Sequence, residues 1–408
     1  MVFYGVSINE YSRPLINNQN ISRNAYPVNS GGRDLRLDFL RGLIMLVVIV
    51  VHMEYYSFFS MFVWERIGLI SSAEGFVGLS GIVLGIVYKK RLLRDGFKSS
   101  AIKLWKRSFQ LYRVNVFVVL SIVLLGLLPF IDIFEVTHWI PNTQRSRAFL
   151  LYPPDGTPWL EIFKQAFLLK IGPHQFQVIG LYVGLIATAP FVLYFLYRKK
   201  TIWLIVISCI IYGINQKYQF RITGARFELG FPTLTWQLIF INGMVVGYHQ
   251  EKILGYITER KNIILIASCF SLAFLFLALN NPNAVYWPLR DLAGLEGEMF
   301  RQIYLSWFQK PTLGLGRVFN NITLFIVFYY ALTHYWLPIN KVLGWLVIPL
   351  GQASLYVFIV HIYFIILFSN TPLGSYDSFI VNTVIHATAI TLIWLMVKHK
   401  VLFQLIPR

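Results

Sequence analysis

Apolar stretches long enough to cross a bilayer recur in this chain from about residue 39 to residue 398, with no soluble-looking block as large as a domain between them. A segment surrounded by hydrocarbon must satisfy its backbone polar groups internally, so the building unit is the helix. Of 408 residues, 56% are hydrophobic and only 13% charged, and the mean hydropathy is +0.60, more apolar than a soluble domain. The sequence therefore reads as an all-α polytopic membrane protein with about ten transmembrane helices. They are expected near 39–56, 73–89, 109–131, 177–197, 201–215, 234–249, 262–280, 318–336, 343–367 and 379–398. Trp159 to Ile171 is apolar but short, and is expected to lie in the interface or re-enter.

The formal charge of +18 could suggest nucleic acid, but the basic residues gather at span ends instead of forming one solvated face. Lys89, Lys90, Arg91, Arg94, Lys98, Lys103, Lys106 and Arg107 stand against Asp95 alone, which marks a cytoplasmic loop. Simple alternation then places both termini in the cytoplasm and two long loops, 132–176 and 281–316, outside. Residues 1–32 are polar and Asn-rich, lack the apolar core of a signal peptide, and read as a flexible cytosolic arm before a membrane domain over 33–408. Cys209 and Cys269 fall inside apolar runs and are expected to act as small buried hydrophobes.

Ionisable groups inside a span are costly and mark candidate sites. Arg36, Asp38 and Arg41 open the first span and His52 closes it. At about 100° per residue Arg41 and His52 are roughly 20° out of phase and about 16 Å apart, so a basic end looks along one face at an imidazole. Glu74 heads a stripe of Gly78, Gly81 and Gly85 that suits close helix packing or a ligand slot, and alternation puts it near the depth of His52. A histidine and a carboxylate at one depth could form a base with its orienting acid. Ser354 and His361 share a face of the ninth span. Gln237 and Asn242 suit interhelical hydrogen bonds or a cavity lining. Phosphate would fall to Arg36, Arg41, Lys103, Lys106 and Arg107, with Arg113 nearby. In the outer loops Trp139, Tyr152, Trp159, Trp287 and Trp307 among polar groups suit a sugar, or an interfacial aromatic belt. No two histidines stand at metal-ligand spacing on one helix, and none of the site is expected to hold a metal.

Three stretches, RDLRLDFLRG running on to His52, SSAEGFVGLSGIVLGIVY and FPTLTWQ, resemble the OpgC-type glucan succinyltransferases, within the wider transmembrane acyltransferases that include acyltransferase family 3. The resemblance runs from about Arg33 to about Phe368. It implies an acyl-CoA-dependent O-acyltransferase of the bacterial plasma (inner) membrane, moving a succinyl or acetyl group from cytosolic acyl-CoA to a hydroxyl of an extracytoplasmic glycan. Carried over, it makes His52 the catalytic base, with Glu74 and His361 in the same site, and Arg36, Asp38 and Arg41 the coenzyme end. Candidate contacts to the acceptor are Ser354, Trp236, Gln237, Trp139 and Trp287. One departure is Val51, where the family often has an acid before the motif histidine. The expected partners are acyl-CoA, the glycan and the bilayer, and pairing into a homodimer stays open. Two other classes fit buried charge and polar outer loops: a transporter or flippase for a lipid-linked glycan, and a polyprenol-dependent glycosyltransferase.

Overall fold

The computed structural model describes residues 24–27, 32–63, 65–140, 148–281, 294–371 and 378–407. Its helices are α1 (Leu35–His52), α2 (Ser72–Leu125), α3 (Phe134–Thr137), α4 (Trp159–Phe167), α5 (Gln177–Tyr197), α6 (Thr201–Tyr218), α7 (Thr233–Tyr248) and α8 (Gln250–Glu259). They continue as α9 (Lys261–Leu279), α10 (Gly297–Ile303), α11 (Leu315–His334), α12 (Trp336–Ile339), α13 (Trp345–Gln352), α14 (Ser354–Ser369) and α15 (Phe379–Lys398). Among the described residues the strand content is one antiparallel bridge between β1 (His138–Trp139) and β2 (Phe149–Leu150).

Local chemistry sets the helix boundaries that matter for the site. Asp34 caps α1 by accepting from the Arg36 N–H at 3.0 Å. Ser71 and Glu74 cap α2: the Ser71 N–H and hydroxyl donate to the Glu74 carboxylate at 2.9 and 2.6 Å. Within α2 the backbone leaves helical geometry at Gly96, at φ 76° and ψ 173°, a left-handed position that glycine occupies without a Cβ clash. The chain reverses there. Phe76 and Phe97 lie against Tyr182 and Tyr194 of α5, in the same order along both helices. Trp105 and Ser108 instead meet the carbonyls of Ala187 and Val183 in opposite order. The two halves of α2 are thus an antiparallel pair on α5.

The glycine stripe packs the first half of α2 onto α7. A Cβ at Gly81 or Gly85 would overlap the carbonyl of Phe240 or Met244, and one at Gly247 that of Ile82. Gly42 and Gly351 bring α1 and α13 together in the same way, against Val347 and Asp38.

Among the described residues five helical segments are long and apolar enough to cross a membrane: α2, His174–Tyr197, α9, α11 and α15. Trp336–Gln352 and Ser354–Ser369 make a sixth if their 90° bend lies within one span. That bend replaces the straight ninth helix expected over 343–367. Pro349 has no N–H to give the preceding turn, and Gly351 lies on the Asp38 carbonyl, so the chain leaves α13 at Ala353. The expected span 73–89 lies in the first half of α2, and that at 109–131 begins in the second half and runs past its end at Leu125. Cys209 and Cys269 are exposed rather than buried, and Cys209 lines the cavity described below. On α4, Leu160, Phe163 and Phe167 are all exposed on one side, as an interfacial helix requires. Of the expected arm, Tyr26 is buried: its N–H donates to the Thr333 carbonyl at 2.8 Å and its ring meets Trp336 edge-on.

Candidate active site

Helix α1 meets α14 through two polar pairs, one near each end. Near the first turns the Arg41 guanidinium donates to Ser354 Oγ, and Asp38, Arg107 and Tyr182 are near enough to act on it electrostatically. At the far end His52 Nδ1 lies 2.8 Å from His361 Nε2, with the rings stacked 5.0 Å apart. Phe358 packs against both imidazoles. The face read from helical phase is therefore the face that meets α14.

His52 also lines a cavity of about 1680 Å³. Its other end is walled by Leu40 and Ile257, and α1 rises about 18 Å between Leu40 and His52. Most of the lining is aliphatic, including Leu43, Val47 and Val50 of α1. Polar groups gather at the His52 end, where Glu65, Arg66, Tyr304 and Lys310 join the wall. Gly75 and Gly78 line the α2 side of the cavity.

Behind that polar end sits a buried ion cluster. Arg317 of α11, fully buried, donates to Glu74 at 2.5 Å, to Glu65, and to the Phe308 carbonyl at 2.5 Å. With Ser71 also on Glu74, that carboxylate is held by an arginine and a helix cap, while the partner of His52 is His361. A Cβ on Gly75 would overlap the Ile44 side chain, so α2 begins beside the middle of α1, deeper than the alternation argument put it. Arg317 and Lys310 were absent from the sequence candidates. The span expected from 318 starts immediately after Arg317, so the rule that flags charges inside spans passed it over.

The other candidates are dispersed. Arg36 is held between the rings of Tyr26 and Tyr329, each 4.4 Å away, and bonds Asp34 and Thr333 at 2.9 Å. Asp38 is buried and pairs with Arg33. Lys103 pairs with Asp95 at 2.6 Å, Arg107 donates to Gln110, and Lys106 is exposed. Gln237 exchanges hydrogen bonds with Ser208 of α6, and Trp236 is buried against Phe231. Of these, none lines the cavity. Trp139 is exposed on the β1–β2 bridge beside Phe149, and Trp287 lies outside the described residues. His174, also not singled out from sequence, pairs with Glu54 at 2.9 Å close to His52.

A family model described as OpgC protein matches residues 33–404. The chain belongs to the OpgC family. Membership makes it, at the level of the family, a membrane transferase that modifies glucans by acylation. No curated protein and no solved structure matches the chain. Within the family frame, the cavity bordered by His52, with His361 behind that imidazole, is the candidate reaction centre.

Proposed function

We propose that this OpgC-family protein is an O-acyltransferase that moves a succinyl or acetyl group from cytosolic acyl-CoA to a hydroxyl of an extracytoplasmic glycan, in the bacterial plasma membrane. The observation that carries the reading is the cavity along α1, which ends at an imidazole held by a second imidazole. A long thioester can lie in such a passage with its reactive carbon at one end. In this reading the chain crosses the bilayer about ten times, with α2 counted as two spans and both termini in the cytoplasm.

His52 keeps Nε2 as the base when Nδ1–H donates to His361 Nε2, so His361 fixes the tautomer. Nε2 takes the proton of the acceptor hydroxyl as its oxygen attacks the thioester carbonyl. The carbon–sulfur bond breaks, the new ester forms, and the imidazolium returns the proton to the departing thiolate. Arg41, with Arg107 nearby, is proposed to hold coenzyme phosphate at the opposite end of α1. Arg36 has its donors engaged and acts on that region through the docking of Tyr26.

Purified protein incubated with acetyl-CoA or succinyl-CoA tests the reading. Thioester hydrolysis or transfer that disappears in His52→Ala supports it. A flippase would leave both thioesters intact, and that result would end the acyl-transfer reading.

A further inference from the structure

Among the described residues, the His52 end of the cavity presents one ammonium that no carboxylate meets directly. Lys310 lines the cavity, and among the described residues its Nζ has no hydrogen bond or ion pair; its close neighbour is the Phe231 ring, 5.3 Å from Nζ. Glu65 and Glu74 attract it, while Arg317, their direct partner, repels it. The two carboxylates and Arg317 leave one net negative charge, with Glu65 in the cavity wall and Glu74 and Arg317 behind it, which supports an ammonium at a distance. The lysine is rigidly presented. The Leu313 N–H donates to the Lys310 carbonyl at 3.0 Å, and Tyr212 and Gln216 of α6 grip the carbonyls of Leu313 and Thr312. An ammonium in an aliphatic cavity keeps unmet hydrogen-bonding capacity, and an oxyanion satisfies charge and donors together.

We propose that Lys310 is the specificity residue of this cavity, pairing with an oxyanion, a carboxylate or a phosphate, on the molecule that reacts at His52. The proposal rests on the acyl-transfer reading and deepens it. Lys310 and His52 border the same space and are near enough to interact electrostatically, so the anion lies on the acyl group or the acceptor close to the reacting carbon.

Two pairs of substrates separate the sources. One pair is acyl-CoA donors of equal chain length with and without a terminal carboxylate. The other is glycan acceptors with and without an ionised substituent. For each pair the ratio of kcat/KM, charged over neutral, is measured in the natural protein, Lys310→Met and Lys310→Arg. A ratio taken within one preparation is independent of how much of a variant has folded. In Lys310→Met one of the two ratios is expected to fall roughly 10- to 100-fold, the loss of one charge-assisted hydrogen bond, with partial recovery in Lys310→Arg. A fall in the donor ratio assigns the anion to the acyl group; a fall in the acceptor ratio assigns it to the glycan. If both ratios are unchanged in Lys310→Met while transfer proceeds, the proposal is overturned and acyl transfer stands. If the natural protein transfers no acyl group from any donor, the acyl-transfer reading fails and this proposal falls with it.

Discussion

His52 and His361 stand 309 positions apart and meet at 2.8 Å, which makes them a unit that single substitutions should expose. His52→Ala is expected to lower kcat by several orders of magnitude, while His361→Gln, which can still accept from Nδ1–H, should cost about 10- to 100-fold. In the double variant the losses should not multiply; activities near that of His52→Ala alone are the expected outcome, and independent losses would separate the two roles. Arg41→Ala should raise KM for acyl-CoA and weaken its salt dependence, since a guanidinium–phosphate contact is charge-assisted and screened. An unchanged KM would leave Arg41 as a structural donor to Ser354. The common face of Arg41 and His52 was legible because it depends only on the period of one helix. The partner of Glu74 was not, because Arg317 lies 243 residues later and helical phase says nothing about which helix comes alongside. Part of the answer was present in the sequence: Ser71 and Glu74 have the spacing of a capping box, which gives that carboxylate a local task at the start of a helix.

The elements show the same division between what one segment encodes and what packing decides. Hydrophobic length revealed the helical class and most of the helix positions. It placed a turn between the spans at 73–89 and 109–131 but not the helix that runs up to and away from Gly96, because a single glycine among basic residues looks like any polar connection, and it missed the bend between α13 and α14, because Gln352 and Ser354 are too brief an interruption to divide an otherwise apolar run over 343–367. The glycines of α2 were correctly readable as a close-packing stripe, but their partner glycines on α7 emerge only from the contacts. Gly247→Val should force α7 off the Ile82 carbonyl and destabilise the protein by about 1–3 kcal/mol or more, the cost of overpacking a fitted interface. Thermal unfolding in detergent would show it as a lowered midpoint. Gly255→Ala, inside α8 where an added Cβ meets nothing within 4 Å, is the control and should leave the midpoint in place or raise it slightly through helix propensity.

In the whole molecule, Arg317 joins α11, the start of α2, the loop carrying Glu65 and the segment ending at Phe308. Replacing it with Met strands two carboxylates, one of them fully buried, and should cost about 3–5 kcal/mol. Converting both acids to glutamine in the same chain should restore much of the loss. If Arg317→Met unfolds at the same temperature as the natural protein, the cluster contributes little to stability. The cluster also has a history in time. Glu74 leaves the ribosome 243 residues ahead of its partner, an interval of about 12–50 s at ordinary synthesis rates. During that interval the carboxylate lacks its buried partner, and the first turn of α2 is expected to settle only afterwards. Nascent chains halted before residue 317 are therefore expected to leave the 53–71 loop open to protease, and chains released just beyond it to close, so that the cavity wall is finished late, by a residue that does not itself line it.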